Sequence, residues 1–392
     1  MSEWESIFEA SVSFDPAAEL EGFLRGVPGK WVVYLMVDEG GRPVQLLCVR
    51  NLKASLKRRL GGEETIGVSK RVNYRELVRR VYWRRVDSAF EADWVYLEAA
   101  REIFPETYEG MVGFRAAWFV HVDPGAEFPR YVKTTDLVGG ASGRGGVLIG
   151  PVEDKHAAHR LIEIAEGAFD LCRYYNVLVQ SPAGRACAYK EMGKCPAPCD
   201  GTISMEAYRG MVGESVAAVV EPGPFVREQE ARMKRLAGEL EFERAGKVKG
   251  LVEQVSQLGK GAFRHAKRLK EFAFMAMQRG PRERTAKVFL IVRGEVEEVV
   301  GLISEPVKGA EVLMYLLEWA EEMRGRGMTK AGVERIGLVS QHLFSAKQTH
   351  GVFIRLDGIE ERSVAKGYRE LGRQKVVEES EGEGVVKELQ AM

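Results

Sequence analysis

The protein has 392 residues, of which 45% are apolar and 29% are charged, and its formal net charge is zero. This composition is typical of a globular protein of about two to four domains. No apolar run reaches the roughly 18 residues that a membrane-spanning helix needs, and the acidic N-terminus lacks a signal-peptide pattern, so we expect a cytoplasmic protein with no membrane partner.

The first part of the chain alternates between strand and helix patterns. Residues 30–37 (KWVVYLMV) and 43–49 (PVQLLCV) are short apolar runs, separated by a turn that contains Gly40 and Gly41. This pattern predicts a β-hairpin. Helices are predicted next, over residues 51–60, 74–85 and 88–104.

The central part combines strands, helices and a cysteine-containing loop. The predicted elements are strands over 117–122 and 129–134 and helices over 154–174 and 204–220. The sequence EPGP at 221–224 predicts a domain boundary, and a helical stretch with breaks at glycines is predicted over 225–279.

From Arg284 onward the pattern changes again. The sequence KVFLIVRGEVEEVVGLI predicts a hairpin, followed by helices over 309–325 and 329–346, a strand over 351–356 and a short terminal helix. The fold class expected for the whole chain is therefore α+β with several domains. The predicted units are an α/β domain over 1–110, a linker and four-cysteine region over 111–223, a helical hairpin over 224–280, a C-terminal α/β domain over 281–378 and an acidic tail over 379–392.

Positive charge is concentrated in two segments. Residues 50–85 contain twelve Lys or Arg against three Glu, and residues 226–280 contain thirteen against seven. Such segments are typical of a surface that binds a polyanion, although basic helices can also serve only to keep a surface solvated. Charge alone leaves both interpretations open.

Four of the five cysteines fall close together, with the spacing C-x14-C-x7-C-x3-C. They are Cys172, Cys187, Cys195 and Cys199. Four thiolates suit a zinc ion or an iron–sulfur cluster, and only the last pair has a spacing common in zinc sites. The alternative is a set of buried structural cysteines, which a loop rich in Gly and Pro makes less favourable.

The sequence around these cysteines resembles the UvrC family of bacterial excinucleases. The segment CAYKEMGKCPAPCDG at 187–201 continues into TISMEAY, and it follows Ile149-Gly150-Pro151 and a helix end that reads FDLCR at 169–173. The resemblance implies that the four cysteines bind a 4Fe–4S cluster, with zinc as the alternative cofactor.

The next segment resembles the UVR motif of the same family, a helical hairpin that pairs with a matching hairpin of the excinuclease protein UvrB. Apolar residues at helical spacing run over 233–255, and a two-helix hairpin is not expected to bury such a stripe alone. The resemblance implies a UvrB-like partner for residues 226–258. The residues expected to contact it are Met233, Leu236, Phe242 and Glu243. The alternative is a coiled-coil linker packed on its own domain.

The N-terminal domain resembles a divergent GIY-YIG nuclease, which comes first in this family. Val32-Val33-Tyr34 approximates the first half of the signature, whereas the strand that ends near Cys48 has neither the Tyr nor the Gly of the second half. Tyr34 is accordingly the candidate for water activation. The structural alternative is a tyrosine of the strand core.

The other catalytic candidates lie on helices. The resemblance implies that Arg58 or Arg59 stabilises charge on the phosphate and that Glu98 binds Mg²⁺ or Mn²⁺, with Glu91 as the runner-up. Basic residues interleaved with aromatic ones in the same domain suit contacts to a DNA backbone. The predicted DNA-binding residues are Lys57, Arg71, Arg75, Arg84 and Arg85.

The resemblance covers residues 26–258 and leaves 284–392 without a role. The family's second nuclease, which is RNase H-like, and its helix-hairpin-helix motifs have no counterpart in the pattern. Three functions stay open: a repair nuclease that incises DNA with Mg²⁺, a nuclease-dead iron–sulfur factor that binds DNA and protein, and a zinc-stabilised adaptor.

Overall fold

The computed structural model describes residues 3–61, 73–113, 115–138, 146–303, 308–345 and 351–373. These residues form three antiparallel four-stranded sheets, each packed against helices. We call the parts of the chain that contain the sheets the N-terminal unit (3–113), the middle unit (115–272) and the C-terminal unit (273–373). The mixed α and β multidomain class predicted from the sequence is confirmed. Within the described residues, no helix is both long and apolar enough to cross a membrane.

The N-terminal unit contains a sheet with the strand order β1-β4-β2-β3. Its elements are β1 (Ala10–Ser13), α1 (Leu20–Arg25), β2 (Val32–Val37), β3 (Pro43–Val49), α2 (Leu52–Leu60), α3 (Tyr74–Leu77), β4 (Arg80–Arg85), α4 (Ala89–Ile103) and α5 (Tyr108–Met111). The predicted hairpin and the helices near 51–60 and 88–104 are confirmed. Asn51 and Ser88 cap the N-termini of α2 and α4, because each side chain accepts a hydrogen bond from the backbone N–H of the residue three positions further along the chain.

The helix predicted over 74–85 is wrong beyond its first turn. Only Tyr74–Leu77 is helical, and Arg80–Arg85 forms a central strand that pairs with β1 and β2. Val81 and Trp83 are buried on one face, whereas Arg80 and Arg85 at the strand ends are exposed. The segment RVYWRR is rich in β-branched and aromatic residues, and pairing on both sides outweighs the helical pattern.

The middle unit contains a sheet with the strand order β6-β5-β7-β8, covered by helices. Its elements are β5 (Trp118–Val122), β6 (Tyr131–Thr134), β7 (Val147–Val152), α6 (Lys155–Ala168), α7 (Tyr175–Leu178), α8 (Ala188–Glu191), α9 (Met205–Val220), α10 (Pro222–Gly238), α11 (Phe242–Val255) and β8 (Lys267–Arg268). The EPGP segment marks a bend, since α9 ends at Val220 and α10 begins at Pro222.

The C-terminal unit contains a sheet with the strand order β11-β10-β9-β12. Its elements are β9 (Ala273–Arg279), β10 (Ala286–Val292), β11 (Glu295–Ile303), α12 (Lys308–Arg324), α13 (Lys330–Phe344), β12 (Val352–Arg355) and α14 (Glu361–Arg373). The hairpin and the later elements predicted from the sequence are confirmed. The acidic tail predicted over 379–392 lies outside the described residues.

The helical stretch predicted to extend to 279 is wrong after Val255. The strand β9 reads AFMAMQR and pairs with both β10 and β12. Phe274 and Ala276 belong to one hydrophobic cluster, and Met275 and Met277 belong to another. Because both faces of the strand are buried, the sequence lacks the alternation of apolar and polar residues that would have indicated a strand.

The N-terminal and C-terminal units share one hydrophobic core around α4. Phe90 on α4 contacts Phe289 and Phe353 edge to face, with ring centroids 5.4 and 5.5 Å apart. The same cluster includes Leu35 on β2 and Ile336 on α13. Helix α4 therefore lies between the sheet of the N-terminal unit and the elements of the C-terminal unit.

Candidate functional site

The cysteine loop lies against the sheet and helices of the middle unit. Cys172, Cys195 and Cys199 are buried and Cys187 is half-buried. Cys172 and Cys195 are hydrogen-bonded to each other, and this bond raises the pKa of Cys172 and lowers the pKa of Cys195 to about 6. Burial raises the pKa of Cys199, and the nearby charges of Asp200, Cys195 and Cys187 raise it further. All four predicted ligands therefore lie in one neighbourhood.

The backbone of the loop is shaped around the sulfur atoms. Ala197 is buried between two prolines and adopts the left-handed conformation, with φ at 56°. This conformation is uncommon for alanine. The backbone N–H of Ala197 donates to Cys195, which contributes to the lowered pKa of that thiol. A hydrogen bond to sulfur of this kind stabilises a thiolate, the form that binds metal.

Tyr208 on α9 positions the first cysteine. Its hydroxyl accepts a hydrogen bond of 3.0 Å from the backbone N–H of Cys172, and its side chain is fully buried. Tyr208 is the last residue of the ISMEAY run that follows the cysteines. The run therefore begins the helix that supports the cysteine loop. The sequence pattern alone does not show that Tyr208 holds the backbone of Cys172.

The four thiols match the chemistry of a metal or cluster site, but they do not form a preassembled site for one ion. Within the described residues, no three His, Cys, Asp or Glu side chains are arranged to hold a metal ion. In a 4Fe–4S cluster each of the four cysteines binds a different iron atom, so the four thiolates must surround a shared volume rather than converge on one point. The donor set of this loop fits that requirement.

The helices α10 and α11 form an antiparallel hairpin that buries most of its own apolar stripe between the two helices. Met233 and Leu236 pack with Ala245 and Val248 in a small cluster between the two helices. Leu236 is buried in this cluster and Met233 is half-buried, so neither side chain is presented openly to solvent, and their contact with a partner stays a prediction. The two helices provide enough facing surface to bury each other's small apolar residues.

The tip of the hairpin, in contrast, presents apolar side chains to solvent. Phe242 is 64% exposed and Leu240 is 72% exposed. Leu240 also has a positive φ of 60°. A large apolar residue in this backbone conformation is strained, and strain of this kind concentrates at functional positions. Glu243 is exposed beside Phe242. Leu240 belongs to the apolar stripe of the hairpin, but the sequence pattern does not mark it as a partner contact.

The predicted nuclease residues fall into two separated groups. Tyr34 is fully buried and packs against α2, where its hydroxyl is 2.9 Å from the Ser55 hydroxyl. Arg59 is also within hydrogen-bonding distance of Tyr34, whereas Arg58 is exposed. Burial raises the pKa of Tyr34, so the phenol stays protonated at neutral pH.

Glu98 lies on the opposite face of this sheet. Val33 and Leu35, the neighbours of Tyr34 on β2, belong to the cluster that contains α4, whereas Tyr34 belongs to the cluster that contains α2. Since side chains alternate between the two faces of a strand, Tyr34 and Glu98 are on different sides. The sheet therefore does not bring the predicted tyrosine and the predicted metal ligand together.

Both candidate metal ligands on α4 contact basic residues of the C-terminal unit. Arg335 on α13 donates to the two carboxylate oxygens of Glu98, at 2.8 and 2.9 Å. Burial raises the pKa of Glu98, but Arg335 and Arg101 together lower it below its usual value. Glu91 is fully buried and accepts a hydrogen bond of 2.6 Å from Lys287 on β10.

The predicted DNA-binding residues differ in how far they are available to a ligand. The guanidinium group of Arg75 donates to the carbonyl oxygens of Pro16, Ala18 and Leu60. Arg84 pairs with Glu298 of the C-terminal unit at 3.3 Å.

The remaining members of this group are at the surface or outside the described part of the chain. Lys57 pairs with Glu21 at 2.9 Å and is exposed. Arg85 is exposed, and its side chain forms no ion pair with a described residue. Arg71 lies outside the described residues.

Comparison with known proteins locates the similarity in the middle unit. Residues 117–218 match the family model described as the UvrC/Cho excinuclease middle domain. This range contains β5 to β7, α6 and α7, all four cysteines and nearly all of α9. No solved structure matches the chain at a significant level.

Curated relatives extend the similarity at low identity. A UvrABC system protein C of Syntrophomonas wolfei is 28% identical over 183 residues, which are 45% of this chain and 29% of the relative. The corresponding protein of Campylobacter jejuni subsp. doylei is 23% identical over 296 residues, 74% of this chain and 47% of the relative. That of Thermobifida fusca is 26% identical over 220 residues, 55% of this chain and 33% of the relative. This chain thus spans less than half the length of these relatives. The resemblance to the UvrC excinucleases is confirmed by the match to the middle domain and by these low-identity relatives.

Proposed function

We propose that the protein is a DNA-repair factor that binds DNA and a UvrB-like protein and does not cut DNA in the conformation described. The observation that carries this proposal is the match of residues 117–218 to the middle domain of the UvrC/Cho excinucleases, centred on the four cysteines. The relatives are components of a UvrABC system by name. Nucleotide excision repair is accordingly the process in which we place this protein.

The cysteine loop is proposed to hold a 4Fe–4S cluster. Three of the four thiols are buried, the pKa of Cys195 is lowered to about 6, and the Ala197 N–H donates to its sulfur. A cluster would supply a rigid, charged centre that ties the loop to α9, with Cys172, Cys187, Cys195 and Cys199 as ligands. Zinc is the alternative, and metal analysis of the purified protein distinguishes the two.

The absence of incision is supported by the position of the candidate residues. A single-metal nuclease needs its activating group, its phosphate-binding arginine and its metal ligand around one scissile phosphate. Here Tyr34 and Glu98 lie on opposite faces of one sheet, and Arg335 occupies both oxygens of Glu98. The N-terminal unit is therefore proposed to contact DNA through exposed residues such as Arg58 and Arg85.

Mg²⁺-dependent incision is the alternative, because Tyr34 and Arg59 do lie together. The test is a nicking assay on a lesion-containing duplex with Mg²⁺ or Mn²⁺ and a UvrB-like protein. We expect salt-sensitive DNA binding without strand cleavage. Incision that is lost in Glu98→Gln would replace our proposal with the nuclease, and a protein that binds no DNA and contains one zinc per chain would replace it with an adaptor.

A further inference from the structure

Exposed aromatic residues cluster beside the cysteine loop. Tyr174 is 47% exposed and Tyr175 is 39% exposed, at the start of α7. The ring of Tyr174 is 5.8 Å from that of Tyr189 on α8, which is half-buried. We call Tyr174, Tyr175 and Tyr189 the tyrosine cluster. Single exposed tyrosines are common, but exposed aromatic rings grouped at one place are typical of an interaction site.

Two arginines stack on the tyrosine cluster. The guanidinium of Arg130 lies 3.7 Å from the ring centre of Tyr175, and that of Arg173 lies 4.4 Å from the ring centre of Tyr189. A guanidinium that stacks on a ring keeps its N–H edge available for an oxyanion. Arg173 uses one N–H on the carbonyl oxygen of Lys194, at 3.3 Å.

The charge around the cluster favours an anionic ligand. Arg130 and Arg173 form no ion pair with any described carboxylate, and the same holds for the exposed Arg185 and Lys194 nearby in the sequence. Glu166 and Asp170 are within electrostatic range of Arg173 and partly offset it. Lys190 is already paired with Asp200 at 2.6 Å.

We propose that the tyrosine cluster, with Arg130 and Arg173, binds unpaired DNA bases through stacking while the arginines contact the adjacent phosphates. Stacking on exposed tyrosines requires bases whose faces are free, which a regular duplex does not offer. The occupant is therefore single-stranded DNA or an unpaired region within a duplex. This inference rests on the proposed function, because it assumes that DNA is the ligand, and it assigns to the middle unit a contact for unpaired bases.

The test compares the full-length protein with the double variant Tyr174→Ser/Tyr175→Ser. Binding is measured by fluorescence anisotropy with an oligothymidine of about 20 nucleotides, a duplex of the same length and a duplex with an unpaired internal bubble. We expect the single strand and the bubble to bind more tightly than the duplex. The double variant should lose about tenfold or more on the first two ligands and change little on the duplex.

Two control variants make the result specific. Tyr174→Phe/Tyr175→Phe keeps both rings and should bind like the natural protein. Tyr315→Ser removes an equally exposed tyrosine from α12 and should have no effect. Visible absorbance and thermal unfolding of each variant show whether the cysteine loop is intact, so that a loss of binding is not due to a loss of fold.

The possible failures are distinguishable. If the natural protein binds the bubble and the serine variant binds it equally well, the inference is wrong and the proposed function stands. If the natural protein binds no DNA, both are wrong. If the serine variant keeps DNA binding and loses only a UvrB-like protein, the cluster is a protein interface and the inference is overturned.

Discussion

Arg335 and Glu98 form a bidentate ion pair between the C-terminal and N-terminal units, although they are 237 residues apart in the sequence. Glu98 lies on α4 and Arg335 on α13, and both side chains are largely buried. Arg101 and Glu295 extend the pair into a network. Helix α4 is thus held by the C-terminal unit through charge as well as through the shared aromatic core.

This relationship predicts that Arg335→Gln destabilises the protein. Among the described residues, the substitution leaves Arg101 as the one charged partner of Glu98 and removes the ion pair of Glu295, so we expect a loss of about 2 kcal/mol in the free energy of unfolding. Urea unfolding followed by fluorescence measures it. The matched control is Arg326→Gln, since Arg326 pairs with Glu322 at 3.6 Å with both side chains more than half exposed. The control should change stability by less than about 0.5 kcal/mol. Equal effects of the two variants would contradict the structural role given to Arg335.

His265 predicts a pH dependence of stability. It packs against Phe274 and Phe344, and burial, together with Arg264 and Arg355, lowers its pKa to about 4 from an ordinary 6.5. Because the unfolded chain takes up the proton more readily, stability that is present above pH 6.5 is lost as the pH falls towards 4.

The variant His265→Gln should make stability less sensitive to pH between 6.5 and 4. The expected difference is about 1 kcal/mol, after allowance for partial solvent screening. Thermal unfolding at pH 7 and at pH 5 measures it for both proteins. His159→Gln is the control, because His159 is exposed on α6. If the natural protein and His265→Gln lose the same amount of stability between pH 7 and pH 5, groups other than His265 cause the pH dependence.

Sequence patterns predicted elements whose apolar residues are contiguous or periodic. The hairpin β2–β3 and the helices α9 and α13 followed from such patterns. Strand β9 could not be predicted, because its residues are buried on both faces and neither face is marked by polar residues. Strand β4 was missed because its identity depends on pairing with β1, which lies about 70 residues away.

The candidate site was predictable only where the chain carries a local motif. The four cysteines and the tip residue Phe242 were identified in this way. Arg335, which donates to both carboxylate oxygens of Glu98, was not identified from the sequence, because no local pattern links two residues so far apart. Tyr208 and the tyrosine cluster depend on which aromatic rings face the loop or the solvent, and that is decided by packing.

The cysteine loop predicts a specific pattern of cofactor loss. Protein purified without oxygen should contain iron and sulfide and absorb in the visible range. Serine substitutions at Cys172, Cys187, Cys195 or Cys199 should each lower the iron content, because a thiolate ligand is lost. Cys48→Ser should not, since Cys48 lies in the N-terminal unit, where it accepts a hydrogen bond of 3.3 Å from Trp31. A colourless protein with one zinc per chain would contradict the cluster and support the zinc site.

The hairpin tip allows stability and partner binding to be separated. Leu240→Gly removes an exposed apolar side chain. It also removes the strain of the left-handed conformation at this position, which costs a non-glycine residue about 1 kcal/mol. We therefore expect this variant to be as stable as the natural protein or more stable. Its binding to a UvrB-like protein, measured by calorimetry, should be at least about tenfold weaker, because an exposed apolar anchor is lost.

Leu236→Ala provides the opposite case for the same hairpin. Leu236 is buried between α10 and α11, so its truncation should cost about 2 kcal/mol or more of stability, while the exposed tip keeps its side chains. A selective loss of binding in Leu240→Gly, together with a selective loss of stability in Leu236→Ala, would assign the partner contact to the tip. Weaker binding in both variants in proportion to lost stability would instead mean that the partner recognises the folded hairpin as a whole, and the special role of Leu240 would be wrong.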